Sequence, residues 1–106
     1  PTIADLAGLT PPKEIEGVSL RPLMTQPDAQ WDRPAYIQTL FVDVPGYSVR
    51  TDRWRYIEWG EQGIKGIELY DQLNDPKEMN NLAASKDHSE TIKRLRKLVR
   101  QNWATK

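Results

Sequence analysis

The sequence predicts an α+β domain: an antiparallel sheet of about four strands packed by one long C-terminal helix, with a short N-terminal helix that belongs to a larger domain lying upstream. Three observations carry this prediction. Between Ala35 and Asp71, short stretches rich in β-branched and aromatic residues alternate apolar with polar and are separated by turn formers. Between Ile92 and Trp103 the apolar residues switch to helical spacing. The chain contains no internal repeat and no low-complexity run.

The elements follow in order. Ile3, Leu6 and Ala7 share a helical face, and Gly8 stops it. A chain seldom begins inside such an element, so residues upstream of Pro1 are expected. Pro11-Pro12 is a turn or an extended stretch, and Gly17–Leu23 is an apolar patch broken by Pro22. Residues 25–34 are polar with two prolines and read as a surface linker. The compact domain is therefore placed at 32–106, with 1–31 left to whatever precedes it. Ala35–Leu40 is the first strand, and Pro45-Gly46 marks a turn. Tyr47–Thr51 and Trp54–Trp59 form a hairpin around Asp52-Arg53, with Trp54 and Tyr56 on one face and Arg55, Ile57 and Trp59 on the other. Aromatics on both faces predict a sheet covered on both sides, by the terminal helix and by something else.

Gly60, Gly63 and Gly66 loosen the next connection before the strand Ile67–Asp71. Asp75-Pro76 with Glu78 predicts a short helical turn, with Leu82 anchoring it in the core. Asp87 and Glu90 fit a capping box for the last helix. Its apolar stripe is Ile92, Leu95, Leu98, Val99 and Trp103. Lys93, Arg94, Lys97 and Arg100 lie opposite, with Glu90 and Arg94 spaced for an ion pair.

Composition narrows the function. Lys+Arg and Asp+Glu both total 15, so the cationic excess of a nucleic-acid binder is missing. No apolar run approaches membrane-spanning length. With 0 Cys there is no thiolate chemistry in these residues. The lone His88 beside a helix start reads as a surface residue. Glu58, Glu61, Glu68, Asp71 and Asp75 lie close in sequence, but Asp75 caps a turn, and Glu58 and Glu68 are expected to face solvent. No phosphate loop, zinc motif, nucleophile elbow or calcium loop is present. The arginines and aromatics of Tyr47–Trp59 leave a sugar- or RNA-binding module open as an alternative to a supporting domain.

Four motifs, in order, resemble the C-terminal subdomain of type I sulfatases, most closely the iduronate-2-sulfatase-like branch of the alkaline-phosphatase-like enzymes. They are Pro1–Leu9, the G-V-S-L-R-P-L of Gly17–Leu23, the hairpin Gly46–Tyr56, and Glu68-Leu69-Tyr70-Asp71 followed by Asn74-Asp75-Pro76, Glu78 and Asn81-Leu82-Ala83. The resemblance implies a parent hydrolase of sulfuric esters, with sulfated esters or carbohydrates as substrates. Its formylglycine nucleophile and its calcium ion would lie in the N-terminal domain that partners this chain. These residues alone are then expected to be inactive and to hold no cofactor. The resemblance further implies that loops of this subdomain shape the substrate pocket. That points to Thr39–Pro45 as a rim, with Phe41, Asp43 and the nearby Tyr47 as its residues. For location it implies export, to the periplasm, the medium or the lysosome.

Overall fold

The computed structural model describes residues 1–104. The chain forms two compact units, one from Pro1 to Trp31 and one from Asp32 onward.

In the first unit, α1 (Thr2–Leu6) ends before Gly8, which adopts a left-handed φ of 70°. The G-V-S-L-R-P-L segment ends in a second short helix, α2 (Arg21–Thr25), rather than in a broken extended patch. Pro22 does not break it, because a first-turn N–H has no helical partner to lose. Asp5 ties the two together: Ser19 Oγ donates to its Oδ2 at 2.6 Å and Arg21 Nη1 to its Oδ1 at 2.9 Å. The Ser19 bond, then the Arg21 bond, holds this carboxyl below its usual range. Neither helix buries a residue, and Ile3 and Leu6 lie exposed.

The second unit is a meander. β1 (Ala35–Phe41), β2 (Val44–Arg50), β3 (Trp54–Trp59) and β4 (Gly66–Asp71) pair antiparallel in the order β1-β2-β3-β4. The register places Val49 opposite Tyr56 and Tyr56 opposite Leu69, so these three stand in a row on one face. Helix α3 (Ser89–Trp103) covers that face with Ile92, Leu95 and Val99, all buried. Val49, Tyr56, Leu69 and Leu95 are the largest fully buried side chains. Burying such side chains contributes about 1.5–3 kcal/mol each, so this small face supplies much of the unit's stability.

Two expected caps differ. A 3-10 turn, Lys86–His88, leads into α3, so Asp87 lies inside that turn and His88 takes the N-cap position without a side-chain bond. No ion pair joins Glu90 to Arg94 among the described residues. The expected helical turn at Asp75 is a closed loop instead. Its carboxylate accepts from Met79 N at 3.1 Å and Asn80 N at 2.8 Å, and Glu78 adopts φ 55°, which stops helical winding. The loop returns the chain along β4: Leu69 N donates to Asn81 Oδ1 at 3.0 Å and Leu82 N to Leu69 O at 2.8 Å. These bonds satisfy groups that an edge strand would otherwise expose, and Leu82 packs on the core.

Candidate functional site

The segment Thr39–Pro45, expected as a loop between strands, is strand almost throughout. Phe41 pairs with Val44, leaving only Val42 and Asp43 to turn. Their φ values, 46° and 66°, are both left-handed, as the tight turn of a two-residue hairpin requires. Asn-Gly meets that demand without strain; a β-branched Val does not. The strain sits at an exposed tip, where Leu40, Phe41 and Val42 face outward.

The face of the sheet opposite α3 begins at this tip. Alternation puts Ile37, Phe41, Ile57, Trp59, Glu68 and Tyr70 on it. Trp59 lies across Gly46 so closely that a Cβ there would stand 2.7 Å from its Cζ3. Phe41 meets the same indole edge to face, with centroids 6.3 Å apart. Trp59 Nε1 donates to Glu68 Oε1 at 2.5 Å, and the Tyr70 hydroxyl donates to Glu68 Oε2 at 2.6 Å. The bond to Glu68, followed by burial, pushes the Tyr70 hydroxyl up to about 12. Beside them Arg55 pairs with Glu78 at 2.8 Å, and Glu78 also accepts from Gln72 Nε2. Trp59, Glu68 and Tyr70 are thus tied to one another, as are Arg55, Glu78 and Gln72, while Ile37 and Phe41 stay 51% and 67% exposed.

Of the residues singled out in the sequence, Phe41 and Asp43 come together at the tip. Tyr47 does not join them. It stands on the α3 face with its ring 5.1 Å from Trp103. Glu58 departs most from expectation. It is not in solvent but 2% exposed, because its strand position faces α3. Its Oε1 accepts from the Tyr56 hydroxyl at 2.8 Å and lies 3.4 Å from Arg96 Nε and 3.7 Å from Arg100 Nη2. Arg96 Nε also donates to the Tyr56 hydroxyl at 3.2 Å. Burial, above all, raises the Tyr56 hydroxyl to about 12.

Glu68 is half-buried and bonded between Trp59 and Tyr70, which its place on an alternating strand concealed. Asp71, weighed above only as one carboxylate among several, accepts a two-point grip from Arg53, Nε to Oδ1 at 3.0 Å and Nη2 to Oδ2 at 2.6 Å. That grip holds it far below the usual carboxylate range.

His88 Nδ1 lies 3.1 Å from Ser85 Oγ, and its ring packs edge to face on Trp54 at 5.5 Å, so the imidazole is fixed in the connection to α3. No group of three or more His, Cys, Asp or Glu is placed to hold a metal ion among the described residues. No described helix is long and apolar enough to cross a membrane.

The family model described as N-sulphoglucosamine sulphohydrolase, C-terminal, matches residues 1–105. A Delta 4,5-hexuronate-2-O-sulfatase of Bacteroides thetaiotaomicron is 34% identical over 104 residues, covering 93% of this chain and 21% of that protein. An N-acetylglucosamine-6-O-sulfatase of the same organism is 30% identical over 111 residues, covering 95% and 19%. The solved structure of a protein in complex with its substrate D-glucosamine-2-N,6-O-disulfate superposes with a TM-score of 0.81 at 28% identity, covering 98% of this chain and 22% of that one. The chain spans about a fifth of the length of these relatives. With its meander sheet, single long helix and matched motifs, it belongs to the sulfatases, as a C-terminal domain of the N-sulphoglucosamine sulphohydrolase family.

Proposed function

We propose that these residues are the non-catalytic C-terminal part of a sulfuric ester hydrolase acting on sulfated carbohydrates. In this reading the sheet face opposite α3 docks on the catalytic domain, and the β1–β2 tip forms part of the substrate-pocket rim. The observation that carries it is the apolar face itself. Ile37, Phe41, Ile57 and Trp59 line one side of the sheet, with their polar neighbours already paired among themselves, which suits contact with another surface better than contact with water. The substrate class comes from the names of the relatives. In this reading the formylglycine and calcium of such an enzyme belong to the catalytic domain: the nucleophile is made from Cys or Ser, and here there are 0 Cys and no Ser stands in an S-x-P-x-R motif. In the rim, Phe41 would supply an apolar wall and Asp43 an acceptor for a sugar hydroxyl, while Tyr47 stands away from it, its ring beside Trp103.

The test is Phe41→Ala and Asp43→Ala in the full-length enzyme, assayed on a sulfated monosaccharide. Each is expected to lower kcat/KM about tenfold, roughly 1.4 kcal/mol of transition-state binding, chiefly through KM. The melting temperature should hold within a few degrees, because neither side chain is in the core. Unchanged kcat/KM in both variants would remove the tip from the pocket. Release of sulfate by residues 32–106 alone would overturn the supporting role altogether.

A further inference from the structure

The chain is neutral as a whole, but its charge is not evenly spread. From Thr91 to Arg100 there are five cationic side chains, Lys93, Arg94, Arg96, Lys97 and Arg100, and no acidic one. A third of the chain's 15 Lys and Arg therefore lies within ten residues. On α3, positions 93, 96, 97 and 100 recur at helical spacing and form one ridge about 10 Å long at 1.5 Å per residue. Together with Gln101 and Ala104 they form one open, shallow stretch of the helix's outer surface. Among the described residues, Lys93 and Lys97 make no ion pair, and the only carboxylate paired with Arg96 and Arg100 is the buried Glu58. One negative charge between two guanidiniums leaves the ridge strongly positive. The Tyr56 hydroxyl and Glu58 engage Arg96 through its Nε, so the guanidinium is held in place while the rest of its planar fork is not consumed by these bonds.

At Arg100 and Ala104 the ridge meets a concavity of about 630 Å³, whose lining includes Tyr47, Glu61, Gln62 and Trp103. Aromatic rings beside carboxylate and amide groups suit the apolar faces and hydroxyls of a sugar ring. The held guanidinium of Arg96 and the exposed ammonium groups beside it suit sulfate, which accepts the planar fork as phosphate does. A dense cationic stretch of this kind is a general mark of polyanion binding.

We infer that the α3 ridge, continued into the Tyr47–Trp103 concavity, is a binding track for a sulfated polysaccharide chain. This inference rests on the sulfatase reading for its choice of polyanion. The track holds a polymer by two or three sulfates at once, raising the local concentration of the ester to be cleaved. It therefore acts on polymeric and not on monomeric substrate.

The test uses the full-length enzyme, fluorescein-labelled heparin as the probe, and the double variants K93E/K97E and K93Q/K97Q. Both positions are exposed, so the fold should survive, and a thermal melt checks it. Heparin affinity is expected to fall about tenfold or more in K93E/K97E, less in K93Q/K97Q, with a shallower salt dependence in both. Hydrolysis of a sulfated monosaccharide should not change. Chemically desulfated heparin and duplex DNA should bind the wild type at least tenfold more weakly than heparin does. Equal heparin affinity in wild type and K93E/K97E overturns the inference, as does DNA binding as tight as heparin binding. Failure of the wild type to release sulfate from any sulfated saccharide strikes the sulfatase reading instead, and the heparin titration reads the track independently of it.

Discussion

Val42 shows how one residue can work against its own backbone. A β-branched side chain at φ 46° is strained by sterics, and a left-handed conformation costs an L-residue about 1–2 kcal/mol. Val42→Asn should relieve that strain and raise stability by up to about 1 kcal/mol, read as a higher denaturant midpoint with unchanged slope. A lower midpoint would show that the valine makes a contact worth more than the strain. Asp71 is the converse, a residue the fold exploits. Its carboxyl is depressed by the Arg53 grip, by Asn74 Nδ2 at 2.8 Å and by the amides of Leu73 and Asn74. A depressed folded-state value means stability that is fully present above the unfolded carboxylate range near about 4 and is lost as pH falls below it. Asp71→Asn should therefore lower stability at neutral pH and flatten the decline below about pH 4. An acid limb as steep as in the wild type would assign acid unfolding to other carboxylates.

Among the elements, α3 and the strands were legible in the sequence, and some connections were not. Ile92, Leu95 and Val99 recur at helical spacing and are buried, and the alternation of Trp54, Arg55, Tyr56 and Ile57 gives both faces of β3 correctly. Three signals misled for physical reasons. Val-Asp is a poor turn sequence, so the end of β1 could not be told from a loop. Asp-Pro-x-Glu is a good helix start, but the left-handed φ of Glu78 ends it within a turn. Glu58 reads as a solvent residue by its charge, and what buries it is Arg96, Arg100 and Tyr56, the arginines being some forty residues further along the chain. The Phe41–Asp43 tip was legible as a segment, whereas the Trp59–Glu68–Tyr70 group depends on the β3–β4 register. The α3 seam allows two measurements. Leu95→Ala should cost about 2–5 kcal/mol, since Leu95 is fully buried. Glu58→Ala should cost about 1–3 kcal/mol by leaving the Tyr56 hydroxyl and two guanidiniums without their acceptor, the loss being moderated because both arginines are partly exposed. If Leu95→Ala costs under 1 kcal/mol, α3 is not the principal cover of the sheet.

At the scale of the molecule, the second unit has one covered face and one open one. Residues 32–106 expressed alone should bind an apolar-surface dye and self-associate at micromolar concentration, and Ile57→Glu should suppress both. A dye-silent monomer would mean that the open face needs no partner. The strand order has a consequence of a different kind. Every strand pairs with its neighbour in the chain, so the sheet can assemble by successive local closures, and the long-range event is the arrival of α3, whose Arg96 reaches Tyr56 across 40 residues. Helix docking then comes late on the folding pathway. Val49→Ala should slow refolding, while Leu95→Ala should mainly accelerate unfolding. The sheet would be the nucleus and the helix the latch that sets the lifetime of the native state.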